Sequence, residues 1–436
     1  MSMIKENGVL ILDFGSQYTQ LIARRIREEN VFSEVVPCDM PLLDIIEKKP
    51  RALILSGGPS SIYDGDRPKF DLNILNSKIP TLGICYGLHL LVQNSGGEVE
   101  KSNYGEYGLA KIHIQKKSRL LNNIPSETNV WMSHGDKVKK LPSGWITLAL
   151  SSNNIMAAIS NEDQTMVATQ FHPEVMHTDE GAKIIRNFIF DIGKCEKKWT
   201  ASNFIDFQTD LIRKKIPRGK VLVGVSGGVD SSVVAAILSR AIGDRAIAVL
   251  IDHGLLRKDE AKTCVSSLKE GLKVNIDSYD ESGIFLSKLN KITDPEKKRK
   301  IIGNQFIYSF EKIAKKFGNI EYLAQGTLYP DVIESGISLG NTSKLIKSHH
   351  NVGGLPKNMK FKLIEPIREL FKDEVRKVGI QLGIPSSLIQ RHPFPGPGLA
   401  VRIVGEITKE RIKILQEADK IYIEILQKNK LYNQIW

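Results

Sequence analysis

Lys220-Val221-Leu222-Val223-Gly224-Val225 runs directly into Ser226-Gly227-Gly228-Val229-Asp230-Ser231-Ser232, and a helical stretch then leads to a second apolar run over residues 246–251. Short β-branched runs closed by turn residues read as strands, and a strand, tight turn, helix and strand in succession make a unit of a parallel sheet. The turn presents successive N–H groups and hydroxyls to whatever anion it holds, which makes Ser226, Gly227, Gly228, Val229, Asp230, Ser231 and Ser232 a candidate phosphate cradle. It lacks the Gly-Lys-Ser/Thr ending of a Walker A loop and the G-x-G-x-x-G of a dinucleotide site, which disfavours kinase and dehydrogenase chemistry. Asp230 is the candidate Mg²⁺ ligand, because that ion prefers carboxylate, water and phosphate oxygens.

Upstream, the same rhythm recurs. Val9–Asp13 precedes Phe14-Gly15, Ala52–Leu55 precedes Ser56-Gly57-Gly58, and Thr81–Ile84 precedes Cys85. These runs alternate with helical stretches such as Thr19–Glu28, so the expectation is α/β, with two doubly wound parallel-sheet domains. The charged stretch Lys194-Cys195-Glu196-Lys197-Lys198 reads as a linker, and Arg391-His392-Pro393-Phe394-Pro395-Gly396-Pro397-Gly398 can continue neither a helix nor a central strand. Domains are therefore expected over 1–198, 199–391 and 392–436, the last a short, incomplete α+β segment dominated by one helix from about Lys409 to Lys428.

Composition sets the class. Hydrophobic residues are 41% and charged residues 25% of 436, ordinary for globular domains, and no apolar run approaches the ~20 residues of a membrane span. The N-terminus lacks a signal-peptide core and the four cysteines show no disulfide spacing, so a cytoplasmic protein is expected. The net charge of +12 raises nucleic-acid binding as an alternative, but the lysines are spread along helices, which favours a solvated surface and small anionic substrates.

Gly83-Ile84-Cys85-Tyr86-Gly87 follows a strand and precedes a helix, the setting of a nucleophile elbow. A helix N-terminus stabilises a thiolate, and the neighbouring N–H groups can hold an oxyanion. A lone cysteine is more often a small buried hydrophobe. Gln170-Phe171-His172-Pro173-Glu174 changes the balance, because Glu174 can orient His172 and His172 can take the proton of Cys85, either along a strand face or on a local turn at Pro173.

With Ser56-Gly57-Gly58-Pro59, Ser133-His134-Gly135-Asp136 and the Cys85, His172 and Glu174 motifs, the first domain resembles the class I, triad-type glutamine amidotransferases, which have a flavodoxin-like fold. The resemblance implies that Cys85 attacks the glutamine side-chain amide and that backbone groups near Gly58 and Tyr86 form the oxyanion hole. Where that family carries Gln two residues after the second elbow glycine, this chain has His89, implied to take over the hydrogen bond to substrate glutamine.

The cradle resembles the PP-loop of the adenine-nucleotide-hydrolase-like ATP pyrophosphatases. Three downstream segments, 294–303, 323–335 and 346–356, resemble those of the GMP synthetases. That resemblance implies a glutamine-hydrolysing ligase with ATP and Mg²⁺ as cofactors and xanthosine monophosphate as the aminated substrate. Lys298, Arg299 and Lys300 are implied as a lid over the phosphates, and Asp331, Lys347, His349 and His350 as further substrate contacts. A homodimer formed through a C-terminal region, and a closed path for ammonia, are also implied, while this chain is expected to lack the end of that region. The rival readings are another glutamine-fed PP-loop enzyme such as NAD synthetase, and a remnant retaining only glutaminase activity.

Overall fold

The computed structural model describes residues 5–318, 320–334, 361–392, 394, 396–432 and 434–435. The chain divides into two compact units, with the change of unit between Asn203 and Phe204.

In the first unit the strands are β1 (Val9–Asp13), β2 (Ser33–Pro37), β3 (Ala52–Leu55), β4 (Thr81–Ile84), β5 (Glu98–Ile114), β6 (Glu127–Lys140), β7 (Trp145–Ser151), β8 (Met156–Asn161) and β9 (Met166–Thr169). They form one sheet in the order β2-β1-β3-β4-β9-β8-β7-β5-β6. From β2 to β9 every pairing is parallel. From β9 to β6 every pairing is antiparallel. The parallel strands β3 and β4 are buried at every position, as expected of strands covered on both faces. β6 alternates instead, with Val130, Met132 and His134 buried between more exposed neighbours, which is the signature of a sheet with one wet face. The sheet is thus mixed, and its antiparallel half went unread in the sequence.

In the second unit β10 (Lys220–Gly224), β11 (Ala246–Asp252), β12 (Ile276–Asp280), β13 (Ile320–Ala324) and β14 (Lys362–Ile364) form an all-parallel sheet in the order β12-β11-β10-β13-β14. Leu222, Val249, Phe285, Ile313 and Leu323 belong to its core. Burying each such side chain contributes about 1.5–3 kcal/mol. Beyond β14 the described residues form helices and turns only. The helix Lys409–Lys428 starts where Thr408 accepts a hydrogen bond from the Arg411 amide. Ala400, Ile403, Ile407 and Ile412 pack into the same core as β10, so this C-terminal stretch is built into the second unit.

Candidate active sites

Ligands of open α/β sheets sit beyond the C-terminal ends of the strands, and both motif sets lie there. In the first unit β4 runs between β3 and β9. The peptides that follow these three strands carry Ser56-Gly57-Gly58, Cys85 and Gln170–His172 respectively. The Cys85 amide donates to the Thr169 carbonyl at 2.8 Å, which ties the elbow to the end of β9.

The strained residue of the elbow is Cys85 itself, at φ +50° and ψ −101°, where non-glycine residues are rare. Gly83 and Gly87 answer a different need. A Cβ on Gly83 would lie 2.7 Å from the Gly87 carbonyl carbon, and one on Gly87 would collide with the Leu55 carbonyl oxygen. The glycines thus let β3, β4 and the helix Tyr86–Asn94 approach, while this packing holds Cys85 in its costly conformation. The first N–H groups of that helix have no intrahelical acceptor and face the nucleophile's end. The Tyr86 ring is buried and packs 5.4 Å from Phe14, so only its backbone is available to a substrate. Gly57 lies nearer the reacting groups than Gly58. A Cβ there would be 3.1 Å from His172 Cε1 and 3.7 Å from Cys85 Cβ, whereas one on Gly58 would meet the Phe14 carbonyl oxygen at 2.5 Å.

β9 ends at Thr169, so His172 and Glu174 stand on a bend beyond it rather than on a strand face. His172 Nδ1 donates to Glu174 Oε1 at 2.7 Å, and both side chains are almost wholly buried. The His172 amide donates to Trp131 O, its carbonyl accepts from the Thr178 hydroxyl, and Tyr18 packs edge-on against its ring at 5.2 Å. Burial alone disfavours charge on this imidazole. Hydrogen bonds with Cys85 and Glu174, and the charges of both, outweigh burial and raise its pKa. The arrangement suits a thiolate–imidazolium pair oriented by a carboxylate.

His89 is placed differently from its expected role. It is 4% exposed, and its Nε2 donates to Gln170 Oε1 at 2.8 Å instead of pointing at open space. Burial holds its pKa down, at about 4, so it is neutral near pH 7. The Gln170 amide nitrogen in turn lies 3.8 Å from Cys85 Sγ.

In the second unit the cradle follows β10 and opens the helix Val229–Ile242. Gly227 has φ +75°, a left-handed conformation that glycine adopts without strain. The Ser231 hydroxyl donates to the Gly228 carbonyl and accepts from the Ser226 amide, and the buried Ser232 hydroxyl also donates to Gly228 O at 2.9 Å. Those two hydroxyls shape the loop, leaving the exposed Ser226 nearest to solvent. Two residues that the sequence did not single out complete the site. Lys372 Nζ donates to both Asp230 oxygens at 2.7 Å from 142 residues away, and Arg391 Nη1 donates to the Gly227 carbonyl at 2.6 Å while pairing with Glu260. Nothing local in the sequence links Lys372 to Asp230, and Arg391 stands in a Pro/Gly-rich stretch that signals only a boundary.

With both Asp230 oxygens engaged by an ammonium, and no cluster of three or more His, Cys, Asp or Glu among the described residues, the residues present do not form a Mg²⁺ site by themselves. Asp331 spends its carboxylate on the Leu328 amide at 2.9 Å, at the start of the helix Tyr329–Glu334. Lys347, His349 and His350 lie outside the described residues.

The expected cationic lid is corrected in part. Residues 298–300 belong to the helix Pro295–Ala314. Lys298 is 0% exposed, and its ammonium donates to the carbonyls of Ile403 at 2.7 Å, Gly405 at 2.6 Å and Ala400 at 3.4 Å. It fastens the C-terminal stretch and is closed to a substrate. Arg299 pairs with Glu296 one turn away, and Lys300 stands exposed. Lys298→Met is expected to destabilise the second unit by about 3 kcal/mol, because buried carbonyls lose a charged donor. Urea unfolding followed by circular dichroism measures this, and Lys300→Met, at an exposed site, should shift it by less than about 0.5 kcal/mol.

No helix among the described residues is long and apolar enough to cross a membrane. The family model for class I glutamine amidotransferases matches residues 10–192, and the NAD synthase model matches residues 201–305. Over 428 residues the chain is 51% identical to a glutamine-hydrolysing GMP synthase of Brachyspira hyodysenteriae, covering 98% of this chain and 83% of that protein. It is 49% identical to one of Fusobacterium nucleatum over 433 residues and 51% identical to one of Thermosipho africanus over 434 residues, each covering 99% of this chain and 84% of the relative. The NAD synthase match is confined to the PP-loop region, whereas the GMP synthase likeness runs through both units. The chain belongs to the glutamine-hydrolysing GMP synthases, ligases that join an amidotransferase to a PP-loop ATP pyrophosphatase.

Proposed function

We propose that Cys85, His172 and Glu174 hydrolyse glutamine, and that the 226–232 loop binds the ATP that activates xanthosine monophosphate for amination. The observation that carries the first half is the buried His172–Glu174 hydrogen bond of 2.7 Å beside a cysteine held at positive φ.

Cys85 Sγ attacks the side-chain amide carbon of glutamine. The developing oxyanion is held by backbone N–H groups around Tyr86 and the Gly57-Gly58 turn. His172, oriented by Glu174, gives a proton to the departing ammonia. Water then attacks the thioester with His172 as base, releasing glutamate and restoring the thiol.

In the second unit the diphosphate end of ATP rests on the N–H groups at the start of the helix Val229–Ile242. Lys372 and Arg391 supply cationic charge beside it. The C2 oxygen of xanthosine monophosphate attacks the α-phosphorus, and diphosphate leaves whole. Ammonia then adds at C2 and AMP departs, giving GMP. Mg²⁺ arriving with the nucleotide would be held chiefly by phosphate oxygens and water. Cytoplasmic location belongs to the same reading, and light scattering on the purified chain tests whether the homodimer implied for the family forms.

The direct test compares nitrogen donors. Glutamine and ammonium should both yield GMP, and diphosphate should appear in equal amount. ATP cleavage independent of xanthosine monophosphate would contradict the order of steps.

A further inference from the structure

We propose that His89 is a positioning residue for the glutaminase reaction. It fixes the orientation of the Gln170 side-chain amide, so that the amide's NH₂ end faces Cys85 Sγ throughout the cycle. The inference rests on the reading of Cys85 as the nucleophile.

Any buried carboxamide can sit in either of two orientations. The two ends of the Gln170 amide are alike in shape but opposite in hydrogen-bonding sense. One end meets His89 Nε2 at 2.8 Å and the other meets Cys85 Sγ at 3.8 Å. A thiolate accepts and does not donate, so beside the charged nucleophile the NH₂ end must face sulfur. The oxygen end then faces His89, whose Nε2 must carry the proton. Turned over, the amide would set its carbonyl oxygen against a thiolate and repel it. In a neutral imidazole only one nitrogen carries a proton, so the tautomer of His89 and the orientation of Gln170 are a single choice.

The surroundings hold that choice in place. Gln170 is 0% exposed and His89 4% exposed, so water does not offer either group a substitute partner. The Asp136 carbonyl lies near the His89 ring as a second acceptor and also takes the His134 Nδ1 proton at 2.8 Å, so the thiolate beside Gln170, not a lack of acceptors, selects the Nε2–H tautomer of His89. His89 sits on the first turn of the helix that Cys85 opens, with its own amide donating to the Cys85 carbonyl at 3.2 Å. The relay from His89 through Gln170 to sulfur therefore closes on the elbow itself. His172 approaches Cys85 as its acid–base partner, and Gln170 gives the sulfur a separate, neutral donor.

The test measures glutamine hydrolysis and the pH dependence of iodoacetamide alkylation at Cys85, followed on the Cys85 peptide by mass spectrometry, in the full chain. His89→Leu removes the donor and leaves an apolar side chain. It is expected to lower kcat for glutamine roughly 10-fold or more, the effect of losing a hydrogen bond to a charged group. KM should stay within about a factor of 3, and the alkylation profile should move to higher pH. His89→Gln, which can still donate to Gln170 Oε1, should keep most of the activity and the wild-type profile. Gln170→Leu should reproduce the His89→Leu defect, and the double variant should be little worse than either single one, since both break one chain of contacts. Ammonium-driven GMP formation reports intact folding in every variant.

An unchanged kcat and alkylation profile in both His89→Leu and Gln170→Leu would overturn the proposal. A raised KM with unchanged kcat would also overturn it and make His89 a glutamine-binding residue. Cys85→Ala separates the two levels of inference: if it still hydrolyses glutamine, the nucleophile assignment has failed, and if it is inactive while His89→Leu matches wild type, only the positioning role has.

Discussion

Cys85→Ala is expected to abolish glutamine-driven GMP formation, with a fall of at least about 10³-fold, while ammonium-driven formation stays within a factor of about 2 of wild type. The reason is the division of the chain. Among the described residues, the hydrogen-bond partners of Cys85, such as Thr169, Gln170 and Ser133, belong to the first unit. The ATP cradle lies in a separately packed sheet. The substitution removes sulfur from a residue at φ +50°, a conformation that alanine shares no more readily than cysteine, so the backbone cost is the same in both. Removing the nucleophile eliminates the thioester route, whereas added ammonium enters after that step. Steady-state assays with each donor, at fixed ATP and xanthosine monophosphate, check this. Wild-type use of glutamine by the alanine variant would remove Cys85 from the chemistry.

Asp230→Ala is expected to have the reciprocal signature, lowering diphosphate release roughly 10²-fold or more with glutamine and ammonium alike, while glutamine hydrolysis persists. Asp230 holds the ammonium of Lys372 at 2.7 Å from both oxygens, at the first turn of the helix that the cradle opens. Both partners are part-exposed, at 43% and 30%, so the pair contributes at most about 1 kcal/mol to folding stability. That ceiling is the key to reading the result, because it is too small to unfold a domain. A two-decade loss must therefore arise from mispositioned charge at the phosphates. Lys372→Met should show the same loss, and a melting temperature within a few degrees of wild type would confirm that folding survives. Unchanged ATP dependence in both variants would move the nucleotide site elsewhere.

How far the sequence could be read depended on whether an interaction is local. β1, β3, β4, β10 and β11 are short apolar runs followed by turns, and each pairs in parallel with its neighbours. The elbow and the cradle were legible because each packs its chemistry into a few consecutive residues. The antiparallel half of the first sheet was not, because β5 is a 17-residue strand of mixed polarity, Glu98–Ile114, with no clean alternation to mark it. Among site residues, Cys85, His172 and Glu174 come together, but Gln170 carries no motif signal of its own, and its contact with sulfur depends on a bend that periodicity does not encode. Lys298 shows the opposite error. Four cations in a row look like a phosphate-binding lid, yet a helix turns successive residues about 100° apart. One of them therefore faces inward, where three carbonyls await it.

Product stoichiometry shows whether one chain couples glutamine hydrolysis to amination of xanthosine monophosphate. Purified chain is incubated with glutamine, ATP and xanthosine monophosphate, and glutamate, AMP, diphosphate and GMP are quantified together. GMP, AMP and diphosphate are expected in equal amounts, with GMP formation ceasing when any one substrate is withheld. Glutamate and AMP accumulating without GMP would contradict it.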